Sequence, residues 1–323
     1  MEFDSDAIIS HVEELVEQRQ WPALRDLLLP LPAADIALIL SELPEDRLPL
    51  LYRLLPKELA AEVFVEMEPE QQELLIKSFS DTELKEVLDE LYVDDAVDLI
   101  EEMPATVVKR ILQHTDPETR RSVNEILKYP EDSAGSIMTT EFVDLKKNLT
   151  VADAIKRIRR TGTDKETINY CYVTDPSRHL LGIVSIRTLL LAEEDDVIED
   201  IMDTNVVYAR TMDDKEDVAQ TLNKYGFLAL PVVDAEDRLV GIVTVDDAMD
   251  VMEEEATEDF ERMAAILPTD KPYLRTGVFE TVKSRLPWLL LLMLSATLSG
   301  IVINSFEESL ATYSVLIGFI PML

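Results

Sequence analysis

The sequence predicts a multidomain chain: an all-α superhelical N-terminal domain, an α+β pair of repeated units, a long connecting helix, and α-helical transmembrane segments. Three observations predict it. Helix-favouring segments in residues 1–130 are broken every 10 to 13 residues, and that stretch contains no glycine. Residues 137–191 and 201–250 then repeat one another. Finally, Leu286 to Phe306 carries no charged side chain, a run long enough to cross a bilayer as a helix.

The breaks in the first region fall at Pro44, Pro56, Pro69, Asp81, Asp94, Pro104, Pro117 and Pro130. Proline suits a helix start and disrupts a helix interior. Between the breaks, segments such as ELAAEVFVEM and ELKEVLDELY carry apolar residues at helical spacing. Helices of about three turns do not hold themselves together alone. Stacked as hairpins of roughly 24 residues, they form a right-handed superhelix.

The repeated unit begins with Ile137-Met138-Thr139 in copy one and Ile201-Met202-Asp203 in copy two. Strand-like YCYVTD and GIVSI in copy one correspond to LALPVVD and GIVTV in copy two. DPSRH and DAEDR, between the paired strands, read as hairpin turns. TVADAIKRIRR and EDVAQTLNKYG read as the intervening helices. From Thr244 the chain continues as an acidic helix to about residue 266, with no Lys or Arg between Asp246 and Asp259.

Composition narrows the function. The 323 residues hold 65 Asp+Glu against 30 Lys+Arg, a net charge of −35, almost all of it before residue 271. Such a surface repels nucleic acid and favours cationic partners. The single cysteine, Cys171, forms no internal disulfide and fits a reducing compartment. His11, His114 and His179 are scattered, which argues against a zinc site. No phosphate-binding P-loop and no Ser-His-Asp pattern is present, so neither an ATP-driven pump nor an enzyme is expected. The opening MEFDSD lacks the regions of a signal peptide. Arg275, Lys283 and Arg285 precede the apolar run, while Glu307 and Glu308 follow it. The positive-inside rule therefore puts residues 1–285 in the cytoplasm, with Trp288 as an interfacial anchor. A second uncharged run, Ser309 to Leu323, reads as part of a second membrane helix.

Carboxylates at helical spacing are the candidate chemistry. Asp94 and Asp98 are four apart, Asp247 and Asp250 three apart, and Asp250, Glu254 and Glu258 continue one face, with Glu255 and Asp259 beside it. Like charges stacked this way repel one another, and nearby lysines normally relieve them. A pair of carboxylates from different domains suits Mg²⁺, which wants oxygen ligands and usually keeps several waters.

The repeat, with Gly-h-h-[Ser/Thr] opening a helix in each copy, resembles a tandem pair of CBS domains. The whole order, and above all YGFLALPVVDAEDRLVGIVTVDDAMDVMEEEATEDF at 225–260, resembles the MgtE family of magnesium channels and transporters. The resemblance implies an N-domain over 1–130 and a CBS pair over 131–250. It implies a plug helix over 246–275 and a membrane region over 276–323, with the first membrane helix at about 286–306. It implies a multi-pass homodimer in the cell inner membrane that transports Mg²⁺ and closes when cytosolic Mg²⁺ is high. Its regulatory metal positions fall on Asp94, Asp98, Asp214, Glu216, Asp247, Asp250, Glu255, Glu258 and Asp259. Gly226 departs from the pattern, because related sequences carry an acid there that joins a site with Asp250; a backbone carbonyl near Gly135–Ser136 is a further contributor. The resemblance leaves ATP binding open, with Tyr170, Arg187, Phe227, Pro231, Thr244, Asp246 and Asp247 as the candidate contacts. Copy two has the full ribose pattern of Gly241, Thr244 and Asp247, whereas copy one has Thr188 where the acid is expected. On the residues alone, a membrane-anchored CBS nucleotide sensor and a CBS-regulated transporter of another divalent cation stay open.

Overall fold

The computed structural model describes residues 5–264 and 278–305. The second uncharged run, the end of the expected plug helix and the charged residues Arg275, Glu307 and Glu308 lie outside the described residues. The chain divides into two compact units, Met1–Ala248 and Met249–Leu323.

The first unit opens with ten helices: α1 (Ser5–Glu17), α2 (Trp21–Leu28), α3 (Ala33–Ser41), α4 (Leu48–Tyr52), α5 (Lys57–Val65), α6 (Pro69–Ser78), α7 (Asp81–Leu88), α8 (Val93–Glu102), α9 (Ala105–His114) and α10 (Pro117–Ile126). Prolines set several starts. Pro32, Pro56 and Pro104 are N-caps, and Pro69 and Pro117 sit in the first turn, where their missing N–H costs nothing. Polar caps set others: Ser80 and Glu83 form a reciprocal capping box on α7, and Asp116 caps α10. The break expected at Asp94 lies two residues earlier, with Tyr92 as the N-cap of α8.

Alternate helices stack, α3 on α5, α5 on α7 and α7 on α9, which is the one-dimensional packing of a helical array. Tyr52, Phe64 and Phe79 form an aromatic cluster at its centre. The Tyr52 hydroxyl donates to Ala60 O at 2.7 Å, so its burial leaves no orphan donor. Arg53 Nε donates to Glu83 Oε1 at 2.6 Å, and that hydrogen bond holds the Glu83 carboxyl down to about 2.

Two matching α+β units follow, as expected of a CBS pair. Copy one contains β1 (Val143–Lys146), α11 (Val151–Thr161), β2 (Tyr170–Thr174), β3 (Leu180–Ser185) and α12 (Ile186–Leu191). After the short α13 (Ile198–Ile201), copy two contains β4 (Ala209–Arg210), α14 (Lys215–Tyr225), β5 (Ala229–Val233), β6 (Leu239–Thr244) and α15 (Val245–Met263). Each sheet has three strands in sequence order, the first pair parallel and the second antiparallel. Both turns named from the sequence close hairpins in the same way. Asp175 accepts from the N–H groups of Ser177 and His179, and Asp234 from those of Glu236 and Arg238.

The copies interlock. Thr139, in the leading motif of copy one, bridges to Ile242 of copy two, and Asp203, in the leading motif of copy two, bridges to Ile183 of copy one. This crossing explains the glycine that opens each GIV segment. A Cβ on Gly182 would lie 2.8 Å from Asp203 O, and one on Gly241 would lie 2.8 Å from Thr139 O and 2.6 Å from Met138 Sδ. Phe142, Tyr172, Ala229, Leu239 and Ile242 fill the space between the two sheets.

In the second unit, α16 (Val278–Ser305) includes an apolar stretch, Arg285–Ser305, with mean hydropathy 2.1 and no burial. Its 21 residues extend roughly 32 Å as a helix, about the thickness of a bilayer's hydrocarbon core.

The interlock makes a stability prediction. Gly241→Ala forces a methyl group against the Thr139 carbonyl oxygen, and overpacking of this kind costs about 1–3 kcal/mol. Thermal unfolding of the variant is expected several degrees below wild type, and an unchanged midpoint would show that the crossing strand yields freely.

Candidate metal centre

The sequence places Asp94, Asp95 and Asp98 on the first two turns of α8, and Asp246 and Asp247 on the first turn of α15. Within the first unit these two helix starts lie near enough for the charge of Asp247 to act on Asp94, Asp95 and Asp98. Asp94 is only 6% exposed. Burial, then the charge of Asp247, raises its carboxyl well above the ordinary range. The same two causes, in the same order, push Asp95 to about 7 and Asp98 to about 8. Asp98 is nonetheless exposed at the surface, so solvent screens its interactions more than those of Asp94 and Asp95.

Two further acids come from copy one. Glu166, in the loop before β2, is pushed to about 8 by burial and then by Asp95, Asp246, Asp247 and Glu141. Glu141 accepts the N–H of Val93 on Oε2 at 3.0 Å, so a CBS-copy carboxylate caps the start of α8. Burial is the leading cause in every case, and the charged neighbours that follow on Asp94, Asp95, Asp98 and Glu166 are all carboxylates.

Among the described residues, no group of three or more His, Cys, Asp or Glu side chains is placed to hold a metal ion.

The other expected positions have different surroundings. Asp214 caps α14, accepting the N–H of Glu216 at 2.9 Å, and both residues are exposed. Gly226, the position expected to lack a metal-binding acid, is the left-handed C-cap of α14 with φ of 65°, a conformation glycine adopts at no steric cost. Asp250, Glu255, Glu258 and Asp259 lie on α15 in the second unit, and Arg262 reaches back one turn to Glu258. The acidic run therefore has a basic neighbour just beyond it, at a spacing the uninterrupted acids from Asp246 to Asp259 concealed.

The candidate nucleotide contacts divide likewise. Thr244 is buried, and its hydroxyl donates to Asp247 Oδ2 at 2.5 Å. Copy one repeats this arrangement without the charge: the Ser185 and Thr188 hydroxyls are 2.8 Å apart. Pro231 is buried in β5 opposite Ile242. Tyr170 packs against the core between the sheets, and Arg187 is exposed. Phe227 is stacked on Tyr225, with ring centroids 5.3 Å apart. Asp246 is exposed and takes part in the acidic cluster.

Fold and site define a class: a CBS-pair protein with an acidic helical N-domain and a helix of membrane length. Residues 31–132 match the family model of the MgtE intracellular N domain, and residues 134–195 and 198–254 match that of the CBS domain. The magnesium transporter MgtE of Thermus thermophilus is 37% identical over 97% of this chain and 70% of its own length. The magnesium transporter MgtE of Bacillus subtilis is 33% identical over 98% of this chain and 70% of its own length. A crystal structure of the cytosolic domain of the Mg²⁺ channel MgtE in complex with ATP superposes with a TM-score of 0.71 at 38% identity, covering 75% of this chain and 99% of that one. The soluble part of a magnesium transporter gives 0.71 at 34% identity, covering 78% and 100%. The chain belongs to the MgtE family.

The raised carboxyls predict a pH dependence in the absence of divalent ions. An acid with a higher pKa folded than unfolded binds more protons in the native state, so stability falls as pH rises between the two values. Here that window runs from about 4, the ordinary carboxylate value, to the folded values of about 7 to 8. In chelator, the unfolding midpoint is expected to be higher at pH 5.5 than at pH 8.5, and Asp95→Asn is expected to flatten the slope. A flat wild-type profile would contradict the cluster's electrostatics.

Proposed function

We propose that this chain forms the regulatory part and first membrane helix of a Mg²⁺-selective channel or transporter subunit, a homodimer in the cell inner membrane with residues 1–285 in the cytoplasm. Its acidic domains sense intracellular Mg²⁺ and close the pore when it is high. One observation carries this reading: a buried aspartate of the helical domain, Asp94, feels the charge of Asp247 of CBS copy two, and its charged neighbours are carboxylates.

Bringing desolvated like charges together is unfavourable unless they are protonated or a cation lies between them. A hydrated Mg²⁺ suits the gap, because it keeps several of its waters and takes only one or two carboxylates directly. Asp94, Asp95, Asp98 and Asp247 would hold it. The weak, wet geometry fits a sensor that must release its ion when the concentration falls. Asp214 and Glu216, and the acids of α15 from Asp250 to Asp259, are proposed as further, more exposed cation positions.

The ion biases an equilibrium by binding one arrangement better than the other. With Mg²⁺ bound, the helical domain and the CBS pair stay together and the acidic helix supports the closed pore. Without it, repulsion weakens that arrangement. ATP is a second proposed ligand, supported by the solved relative in complex with ATP and by the Thr244–Asp247 pair. Asp247 would serve both ligands, and Thr188 leaves copy one without the corresponding acid.

Patch recordings of the intact transporter test this reading. Neutralising Asp247, Asp250, Glu255 and Glu258 to their amides removes both ligands and repulsion, so basal opening can change in either direction. Inhibition by internal Mg²⁺ is the discriminating readout and is expected to be lost. Inhibition that persists at wild-type concentrations would reduce these acids to a solvated surface.

A further inference from the structure

Glu166 has an unusual position for a surface-loop acid. It follows the 3₁₀ turn Gly162–Asp164 and precedes β2, yet its Oε2 atom is wholly buried and has no hydrogen-bond partner among the described residues. Its place is fixed from both sides. The Glu166 N–H donates to Glu141 O at 3.0 Å, and Asn169 O accepts from Ile186 N–H at 3.0 Å. Glu141 in turn caps α8 through its side chain. The loop is thereby tied to the helix start that carries Asp94 and Asp95.

A buried carboxylate oxygen with no donor is costly unless something else satisfies it. Its charged neighbours supply no donor, because Asp95, Asp246, Asp247 and Glu141 are all acids. Asp94, in the helical domain, lies in the same acidic surroundings, with Glu166 among its charged neighbours. It is 6% exposed, and its Oδ1 accepts the Asp95 N–H. Glu166 thus adds a buried oxygen without a donor to acids of another domain.

We propose that Glu166 is a ligand of the cation held at this contact, supplied by CBS copy one, so that the ion joins three chain segments rather than two. This inference rests on the cation-sensing reading above and adds a residue to it. The third segment matters mechanically. Glu166 lies four residues before Tyr170, and its loop is anchored beside Arg187, so occupancy of copy one by a nucleotide and occupancy of the cation site would act on the same loop.

The test uses the full chain in detergent micelles with Mn²⁺ as the probe. Binding is followed by electron paramagnetic resonance, and the bound ion's water count by proton electron–nuclear double resonance. Asp247→Asn identifies the relevant site as the one it removes. Glu166→Gln is expected to raise that site's half-saturation by about tenfold, the scale of losing a supporting group at a metal, and to add a water to the bound ion. Glu166→Asp keeps the charge with a shorter reach and is expected to fall between the two. Glu42→Gln, at the end of α3, is expected to match wild type. Unfolding of Glu166→Gln in chelator is expected no earlier than wild type, since an amide replaces a desolvated carboxylate. Wild-type affinity and hydration in both Glu166 variants would overturn the proposal. A wild-type chain with no Mn²⁺ site sensitive to Asp247→Asn would instead overturn the cation-sensing reading beneath it.

Discussion

The electrostatic coupling between the acids of α8 and the start of α15 sets one condition on the molecule: several carboxylates from separate domains act on one another where burial limits the screening by water. Burial is the leading cause of every raised carboxyl there, and neighbouring acids come next. Such a contact is stable only when the charge is cancelled, by protons or by a cation. A proton satisfies one carboxylate, whereas a divalent ion satisfies several and ties their segments together. That difference is what the proposed sensing uses.

The scaffold keeps the contact from dissolving under its own repulsion. The CBS copies cannot separate easily, because each lends its leading motif to the other across Gly182 and Gly241. The segment between the helical array and the CBS pair lies along copy two, where Ala134 and Gly135 donate to Asp213 O and Thr211 O. Glu141 then fastens α8 by its N-terminus, a favourable place for a carboxylate because the helix dipole is positive there. Uncharged packing and this one cap bring the acids together; the acids themselves oppose it.

Much of this was legible from the residues. Proline spacing marked the helical array because a proline fixes a helix start by itself, without tertiary context. The repeat marked the CBS pair because two copies of one pattern are far more specific than one. Asp94, Asp98 and Asp247 were legible as candidates because helical spacing places acids on a face. Asp95 was hidden beside Asp94, where periodicity assigns it to another face. Glu166 and Glu141 were invisible, since nothing local distinguishes a loop acid that will be buried from one that stays in water. Their role depends on which segments meet, and that is set by the interlock of the two copies. Gly226 illustrates the reverse case: it was noticed as a missing acid, and its left-handed backbone shows what the glycine does instead.

The central claim is that a divalent cation, not packing alone, holds α8 against the CBS pair at neutral pH. Amide hydrogen exchange of the chain tests it most directly, read at Val93–Glu102 and at Asp246–Ala248 with Mg²⁺ and with chelator. The account predicts that Mg²⁺ slows exchange in both segments together, and that Asp94→Asn combined with Asp247→Asn removes the Mg²⁺ effect while leaving the α3–α5 stack unchanged. Equal protection of both segments with and without the ion would contradict it.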